Sequence, residues 1–478
     1  MRIVGPLEPG YDKDRVICNA RFDYRPWAIY YCEKAEDVVT AIKAARDNGK
    51  FVRIRSGGHQ HEGMCSADDV ALIDVSSINS VYFQDKQRRV WIGAGLALKD
   101  VYVELWRRGY YFPGGACGDV HVGGLTQGGG WGLGLRNYGL TCDSLIGVEI
   151  VTANGAILEI PRRDRPGDRR RLAALRGGGG GNFGVITRFC FRTHPMRHEY
   201  CDLAVTWGDD ELPKDSLDVL LRRWMSAFPH DEDKKLSTFM RVAVAPSGTD
   251  DRLLLRGRYL GGPSEAQRTL DRLILKGYPK PLSIKYTPVQ PWIPKGPLRL
   301  SGPERERLRE RLGTHPGYQP GPGNLTSTCA GSSIRHKVSS GFVRRPANLN
   351  NLASKLISVI RNTTPEPSDL ARQYVSLHCL GGAVASIRVP SAYAFRDRDV
   401  LLQYQAWWNG VALDTKCITW IENFRKSMAP YTDGAFINFV DRDIPLGEYY
   451  KDMLPKLLVG VKRNWDPENF FSFGMSIP

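Results

Sequence analysis

A glycine-containing turn that ends in an imidazole is the first place in the sequence where chemistry is expected. Ser56, Gly57, Gly58 and His59 directly follow a short run, residues 52–55, in which apolar and basic side chains alternate as in a strand. Consecutive backbone N–H groups at such a turn can form a concave site for a diphosphate, and glycines let a ligand approach the backbone closely. The segment is therefore a candidate diphosphate-binding turn, with an ordinary tight turn as the alternative.

Imidazole and thiol side chains in the same part of the sequence suggest a second possibility, a metal site. His59, His61, His121 and Cys117 carry groups that bind zinc or copper. Their spacing matches no common zinc motif, and none of the ten cysteines forms a C-x-x-C pair. We therefore expect no metal site.

Glycines are concentrated in two further segments. Residues 179–184 match G-x-G-x-x-G, but a helix-like stretch precedes them and a strand-like stretch follows. A Rossmann fingerprint requires the reverse order, so we reject that interpretation. Ten other glycines lie between residues 114 and 134, a density that suits backbone passing close to a ligand rather than a packed core.

Apolar periodicity predicts the elements around these segments. Residues 38–45 and 98–105 have the spacing of amphipathic helices, and residues 52–54, 70–75 and 81–92 have that of strands. This alternation indicates a mixed α/β or α+β domain.

The second half of the sequence has a different texture. Longer amphipathic segments after residue 195 predict a second domain, and the many prolines between residues 279 and 322 predict an irregular excursion or lid. The aromatic tail, residues 436–478, is expected to pack on an earlier domain. A helix beginning near Pro455 should end before Asp466.

Composition limits the function classes. The chain has 478 residues, 42% of them hydrophobic, and a net charge of +15, which excludes a disordered chain. No apolar run reaches the length of a membrane span, and the N-terminus lacks a secretory pattern, so we expect a cytoplasmic protein with reduced cysteines. The arginine-rich residues 162–171 are expected to form a solvated loop, with nucleic-acid binding as the less favoured alternative.

A series of motifs then points to one protein family. They are Arg55-Ser56-Gly57-Gly58-His59, Ile73-Asp74-Val75-Ser76, Gly114-Gly115-Ala116-Cys117, Val122-Gly123-Gly124, Gly128-Gly129-Gly130-Trp131-Gly132, Tyr138-Gly139, Asn182-Phe183-Gly184, Asp466-Pro467-Glu468-Asn469-Phe470-Phe471 and Ser476-Ile477-Pro478. In this order they resemble the berberine-bridge-enzyme-like flavoproteins of the vanillyl-alcohol-oxidase superfamily. The resemblance extends over nearly the whole chain.

The resemblance implies an α+β fold in three parts. Residues 1–197 correspond to a PCMH-type FAD-binding domain built from two α/β subdomains. Residues 198–430 correspond to a substrate domain, in which helices cover an antiparallel sheet. Residues 431–478 correspond to a segment that returns to the FAD-binding domain and completes it.

The resemblance also implies FAD attached through two covalent bonds. His59 matches the histidine that bonds the flavin 8α-methyl group, and Cys117 matches the cysteine that bonds C6. Both residue types can act as nucleophiles. The full set of implied cofactor-binding residues is Arg55, Ser56, Gly57, Gly58, His59, Gln60, Gly63, Cys117, Val120, Gly123, Gly124, Gly129, Gly132, Tyr138, Asp143, Ile186 and Asn438.

The general base of the family is missing at its usual places. A C-terminal tyrosine is replaced by Phe439, a second tyrosine by Trp131, and no carboxylate follows the strand that contains His378. Leu125 stands where a histidine is common. His378 and Tyr404 are the remaining candidates for the base, and histidine titrates closer to neutral pH. A substrate that needs little base assistance, or a repurposed site, are the alternatives.

The expected function is an FAD-dependent oxidase that acts on a carbon bearing oxygen or nitrogen in a carbohydrate or natural-product intermediate. Val120 occupies the family position associated with oxygen access, and valine there is typical of oxidases. A dehydrogenase with another acceptor and a degenerate flavoprotein are the alternatives. The expected partners are a small-molecule substrate and O₂, without nucleic acid or membrane, in a monomer or homodimer.

Overall fold

The computed structural model describes residues 1–162, 165, 167–196, 199–208, 216–228, 234–244, 253–276, 280–289, 303, 334–345, 348–366 and 370–478. Its strands are β1 (Arg2–Val4), β2 (Ala28–Tyr31), β3 (Val52–Arg55), β4 (Ala71–Asp74), β5 (Val81–Gln84), β6 (Arg89–Gly93), β7 (Tyr110–Tyr111), β8 (Leu145–Val151), β9 (Ile157–Ile160), β10 (Val185–Arg192), β11 (His194–Pro195), β12 (Tyr200–Trp207), β13 (Leu236–Val244), β14 (Leu253–Tyr259), β15 (Ser283–Val289), β16 (Ile334–Val343), β17 (Ala371–Cys379), β18 (Val400–Asn409) and β19 (Thr432–Asp433). Its α-helices are Tyr11–Asp14, Ala35–Asp47, Leu98–Trp106, Val122–Gly128, Leu135–Tyr138, Asp168–Leu175, Ser216–Ala227, Pro263–Leu270, Leu349–Arg361, Ala383–Ser386, Asp414–Met428, Leu446–Tyr450 and Val459–Trp465.

Two small sheets organise the N-terminal part. The first has the order β1–β2–β4–β3, with β2 and β3 parallel to β4. The predicted helix forms as Ala35–Asp47 and buries its apolar stripe, Val38, Ala41, Ile42 and Ala45. The second sheet is antiparallel, in the order β5–β6–β10–β8–β9. Helix Asp168–Leu175 precedes the 179–184 glycines and β10 follows them, so their context is not that of a Rossmann fold.

An eight-stranded sheet organises the second part of the chain. Its order is β15–β12–β14–β13–β17–β18–β16–β19, and all of its described pairings are antiparallel. Three helices, Ser216–Ala227, Leu349–Arg361 and Asp414–Met428, share one hydrophobic core with one face of this sheet. Together with the two smaller sheets, this arrangement confirms the predicted α+β class.

The C-terminal segment contributes to the core of the two smaller sheets. Tyr450, Trp465 and Phe471 are buried in the same cluster as Val148 and Phe189. Helix Val459–Trp465 ends as predicted, before Asp466. The Asp466 carboxylate then accepts hydrogen bonds from two backbone N–H groups of the following loop and pairs with the buried Lys462 ammonium at 2.7 Å.

Three expectations from the sequence need correction. Part of the proline-rich excursion is regular, because residues 283–289 form the edge strand β15; most of residues 290–322 lie outside the described residues. The arginine-rich run is not wholly a loop, since its last residues belong to helix Asp168–Leu175, although Arg163 is outside the described residues. Cys18 is disulfide-bonded rather than reduced. Among the described helices, none has the length and apolar character needed to cross a membrane.

Candidate active site

A cavity of about 330 Å³ lies between the glycine-rich segments and the face of the eight-stranded sheet that the helices leave uncovered. Four regions line it: the turn after β3, residues 115–131, residues 179–186 and the C-terminal segment around Asn438. The opposite wall consists of side chains from β13, β16, β17 and β18. The cavity therefore brings together the segments that the sequence singled out separately.

The backbone of the turn after β3 packs closely against its neighbours and has no side chain at positions 57 and 58. Ser56 donates a hydrogen bond to the Ala94 carbonyl at 2.7 Å, and a Cβ atom on Gly57 would lie 2.7 Å from the His121 ring. Gly58 has φ +70°, a left-handed conformation that favours glycine. Behind the turn, Arg55 forms a buried ion pair with Asp74. Any residue larger than glycine at position 57 would displace the His121 ring.

His59 and Cys117, the two predicted attachment residues, line this same cavity. Burial and the neighbouring His121 lower the pKa of His59 to about 4, partly opposed by the Asp119 carboxylate and a hydrogen bond to the Asp119 backbone. The imidazole is therefore neutral at pH 7, as a nucleophile must be. Two nucleophilic side chains beside a glycine-lined cradle are the donor set that a doubly linked flavin requires, so the residues present fit FAD.

Asn438 joins the C-terminal segment to the glycine-rich helix Val122–Gly128. Its side-chain oxygen accepts a hydrogen bond from the Gly130 N–H at 2.9 Å. A Cβ atom on Gly128 would lie 2.1 Å from the Asn438 amide nitrogen. The close packing of these two segments depends on the absence of a side chain at position 128.

The other predicted cofactor-binding residues divide into two groups. Those lining the cavity are Ser56, Gly57, Gly58, Gln60, Val120, Gly123, Gly124, Ile186 and Asn438. Those outside its lining are Arg55, Gly63, Gly129, Gly132, Tyr138 and Asp143. Members of the second group support the frame: Asp143 pairs with Arg396 at 2.6 Å, and the Tyr138 ring stacks on Tyr111 with centroids 4.8 Å apart.

His378 stands on the sheet side of the cavity among aromatic rings. Its ring centroid lies 4.5 Å from that of Trp131, 5.4 Å from Phe439 and 5.8 Å from Phe239. Its Nε2 is 2.9 Å from the Gln403 side-chain oxygen, which assigns the proton to Nε2. Nδ1 is buried and has no hydrogen-bond partner in the described part of the chain. Burial lowers the pKa of His378 to about 4, so Nδ1 is an available proton acceptor at neutral pH.

Tyr404, the other candidate base, lies on the opposite face of the sheet. Successive side chains of a strand alternate between faces, and in β18 it is Gln403, Gln405 and Trp407 that line the cavity. The Tyr404 ring packs on Phe424 of helix Asp414–Met428, with centroids 5.2 Å apart. Burial raises the pKa of its hydroxyl. We do not retain Tyr404 as a candidate base, because it does not reach the cavity.

Comparisons with known proteins agree with this geometry. A family model described as "FAD binding domain" matches residues 26–161, and one described as "Berberine and berberine like" matches residues 435–478. The chain is 28% identical to YgaK, an uncharacterized FAD-linked oxidoreductase of Bacillus subtilis, over 100% of its own length and 96% of that protein. The chain therefore carries the FAD-binding and berberine-like domains of FAD-linked oxidoreductases.

Two further proteins to which the chain is similar have named activities. It is 27% identical to aclacinomycin-N/aclacinomycin-A oxidase of Streptomyces galilaeus, covering 96% of this chain and 86% of that protein. The structure of glucooligosaccharide oxidase from Acremonium strictum, which carries a 6-S-cysteinyl, 8α-N1-histidyl FAD, has the same fold, with a TM-score of 0.82 and 21% identity. That similarity covers 100% of this chain and 96% of that one.

Several cavity residues were not predicted from the sequence. His336, Gln403, Gln405 and Trp407 line the cavity, and His61 entered the sequence argument only as a possible metal ligand. The glutamines at alternate positions of an otherwise apolar strand were the available signal, since one face of β18 had to be polar. Among the described residues, no group of three or more histidine, cysteine or acidic side chains is placed to bind a metal.

Proposed function

We propose that the protein is an oxidase that removes a hydride from a carbon bearing oxygen or nitrogen in a carbohydrate or natural-product intermediate. The observation that carries the proposal is the shared cavity: His59 and Cys117 line one side, and His378 lines the other. The names of the aclacinomycin and glucooligosaccharide oxidases support these two substrate classes.

Bound FAD would supply the hydride acceptor, and its reoxidation by O₂ would pass on the electron pair, which with two protons gives H₂O₂. The protein has three tasks around that chemistry. His59 and Cys117 hold the cofactor through covalent bonds. The glycine segments allow it to approach the backbone. His378 accepts at Nδ1 the proton that leaves the substrate O–H or N–H, while Gln403 fixes the ring by accepting the Nε2–H hydrogen bond.

Acid precipitation tests the two covalent bonds. We expect the flavin colour to stay in the pellet of the wild-type protein and of each single variant, His59→Ala and Cys117→Ala, because one bond remains in each variant. The double variant should release its flavin into the supernatant. Cys190→Ala, which removes a thiol outside the cavity, is the matched control. Release of all flavin from His59→Ala alone would show that Cys117 forms no bond.

Oxygen consumption tests the identity of the acceptor. With a panel of neutral sugars, glycosides, phenolic alcohols and amines, we expect at least one compound to give equal amounts of consumed O₂ and formed H₂O₂. Reduction of an artificial dye acceptor without O₂ consumption would instead identify a dehydrogenase. A protein that retains its flavin but oxidises no compound with either acceptor would be the degenerate flavoprotein.

A further inference from the structure

Two histidines on the cavity wall form a pair that the proposed function does not use. His61 Nδ1 lies 3.0 Å from His336 Nε2, and the two rings meet edge to face with centroids 5.1 Å apart. The His336 ring also stacks on Trp407, with centroids 4.2 Å apart. Both histidines and Trp407 line the cavity.

A buried asparagine connects the backbones of the two histidines. Asn19 Nδ2 donates to the His61 carbonyl at 2.7 Å and to the His336 carbonyl at 2.9 Å, while its Oδ1 accepts from the His336 N–H at 3.1 Å. The residues that follow the histidines, Glu62 and Lys337, form a buried ion pair at 2.9 Å. Two segments that are 275 residues apart in the chain are thus held in one register.

Both members of the pair are neutral at pH 7. Burial and the nearby His59 lower the pKa of His61 to about 4. Burial, His61 and Arg21 hold the pKa of His336 well below its usual value. One N–H is shared between the rings, so the pair has one further N–H and one further lone pair to offer, whichever tautomer is present.

The second ring nitrogen of His336, Nδ1, is evidence for a bound ligand. His336 Nδ1 is buried and has no hydrogen-bond partner among the described residues, which is costly unless a bound molecule supplies one. The same cavity is lined by Trp407, on which His336 stacks, and by the neutral amide of Gln405, which accepts a hydrogen bond from Trp407 Nε1 at 3.3 Å. Arg53 is the one charged side chain among the described residues lining the cavity, and it donates to the Ser472 carbonyl. The Arg21 guanidinium near His336 already pairs with the Glu62 carboxylate at 3.8 Å. Among the described residues, a charged ligand group at the pair would therefore lose its hydration without meeting an unpaired opposite charge.

We propose that His61 and His336 form one binding unit for an uncharged, hydroxyl-bearing part of the substrate, and that Asn19 is the positioning residue of this unit. A hydroxyl group both donates and accepts a hydrogen bond, which matches the one donor and one acceptor that the pair leaves open. This inference rests on the proposed function, because it concerns the substrate of the same cavity.

Binding of three sugars that differ in charge tests the unit. Glucose, glucosamine and glucuronate share one ring, and their dissociation constants follow from the change in flavin absorbance without O₂. We expect the wild-type holoenzyme to bind glucose at least tenfold more tightly than the cation or the anion. No spectral change with glucose at 100 mM, or tighter binding of a charged sugar, would overturn the proposal.

Variants then assign the effect to the pair. His336→Phe keeps an aromatic ring on Trp407 but removes both nitrogens, and should weaken glucose binding at least tenfold. His336→Gln keeps a donor and an acceptor and should stay within threefold of wild type. His194→Phe, at a histidine outside the cavity lining, is the matched control and should bind glucose as the wild type does.

Asn19→Ala tests the positioning residue and should raise KM with little change in kcat. Equal dissociation constants for His336→Phe and wild type would overturn the unit, whereas failure of the proposed function would appear separately, as absence of flavin or of substrate oxidation.

Discussion

His378 illustrates how burial prepares a residue for proton transfer. Its Nε2–H is directed to Gln403, and its Nδ1 is left unpaired between aromatic rings. Burial keeps that nitrogen unprotonated at neutral pH, as the proposed base requires, although a pKa of about 4 makes it a weaker base than a free imidazole.

Replacing His378 should therefore remove the base but not the cofactor. We expect His378→Ala to lower kcat/KM about 10²-fold or more, the usual contribution of a general base, while covalent flavin content stays at the wild-type level. Stopped-flow reduction of the flavin by an active substrate measures the effect. A loss of less than threefold would show that another group takes the proton.

The pH dependence of the wild-type rate follows from the same residue. Because the pKa of His378 is about 4, the neutral form predominates above pH 5, and kcat/KM should be constant between pH 6 and 8. The rate should fall as the pH drops through about 4, where Nδ1 becomes protonated. An inflection near pH 6.5 that persists in His378→Ala would contradict this assignment.

At the scale of the element, the side chains of strand β18 alternate between the cavity and the helix-covered face of the sheet. Gln403→Leu should lower kcat at least tenfold, because it leaves the Nε2–H of His378 without its acceptor. Tyr404→Phe, one position along the strand, changes a side chain that faces the helices and should leave kcat within twofold. Steady-state kinetics of the two variants compare the faces directly; equal losses in both would contradict the alternation argument.

The contact between helix Val122–Gly128 and the C-terminal segment gives a second prediction for an element. Gly128→Ala places a methyl group on the Asn438 amide, and overpacking of this kind costs about 1–3 kcal/mol. Gly460→Ala, in helix Val459–Trp465, meets only ordinary contact distances and should be neutral or slightly stabilising. Denaturant unfolding curves of both variants measure the difference in the free energy of unfolding.

At the scale of the whole molecule, the buried neutral histidines predict sensitivity to acid. In the unfolded chain His61, His336 and His378 take up protons below about pH 6.5, whereas burial lowers all three pKa values in the folded protein, to about 4 for His61 and His378. The unfolded state therefore binds more protons between pH 6.5 and 4, and stability is lost as the pH falls through this window. We expect Tm to drop by several degrees between pH 7 and pH 5, and to drop less in His336→Gln. Equal drops in both proteins would contradict this explanation.

Local patterns predicted local structure, and only the folded chain revealed the pairings. Helix Ala35–Asp47 followed from apolar spacing, because it buries the face that its own residues define. Strand β3 also forms as predicted, but it buries Val52 and Arg55 and leaves Ile54 half-buried, so spacing alone did not give its buried face. The prediction of Tyr404 as a base was wrong because the sequence does not show which face of β18 meets the cavity, and the unpredicted glutamines on either side of it line the cavity instead. The His61–His336 pair could not be predicted from the sequence, because it depends on how β16 packs against a turn 275 residues earlier in the chain.

The docking of residues 435–477 into the core of the two smaller sheets has a consequence for synthesis. These residues leave the ribosome after the entire eight-stranded sheet, yet Asn438 completes the glycine-lined wall and Trp465 and Phe471 complete the hydrophobic core beneath it. The nascent chain therefore has no finished cavity until residues 435–477 have been synthesised. Under the proposed function, the covalent bonds to FAD would form only in molecules whose two halves have already assembled.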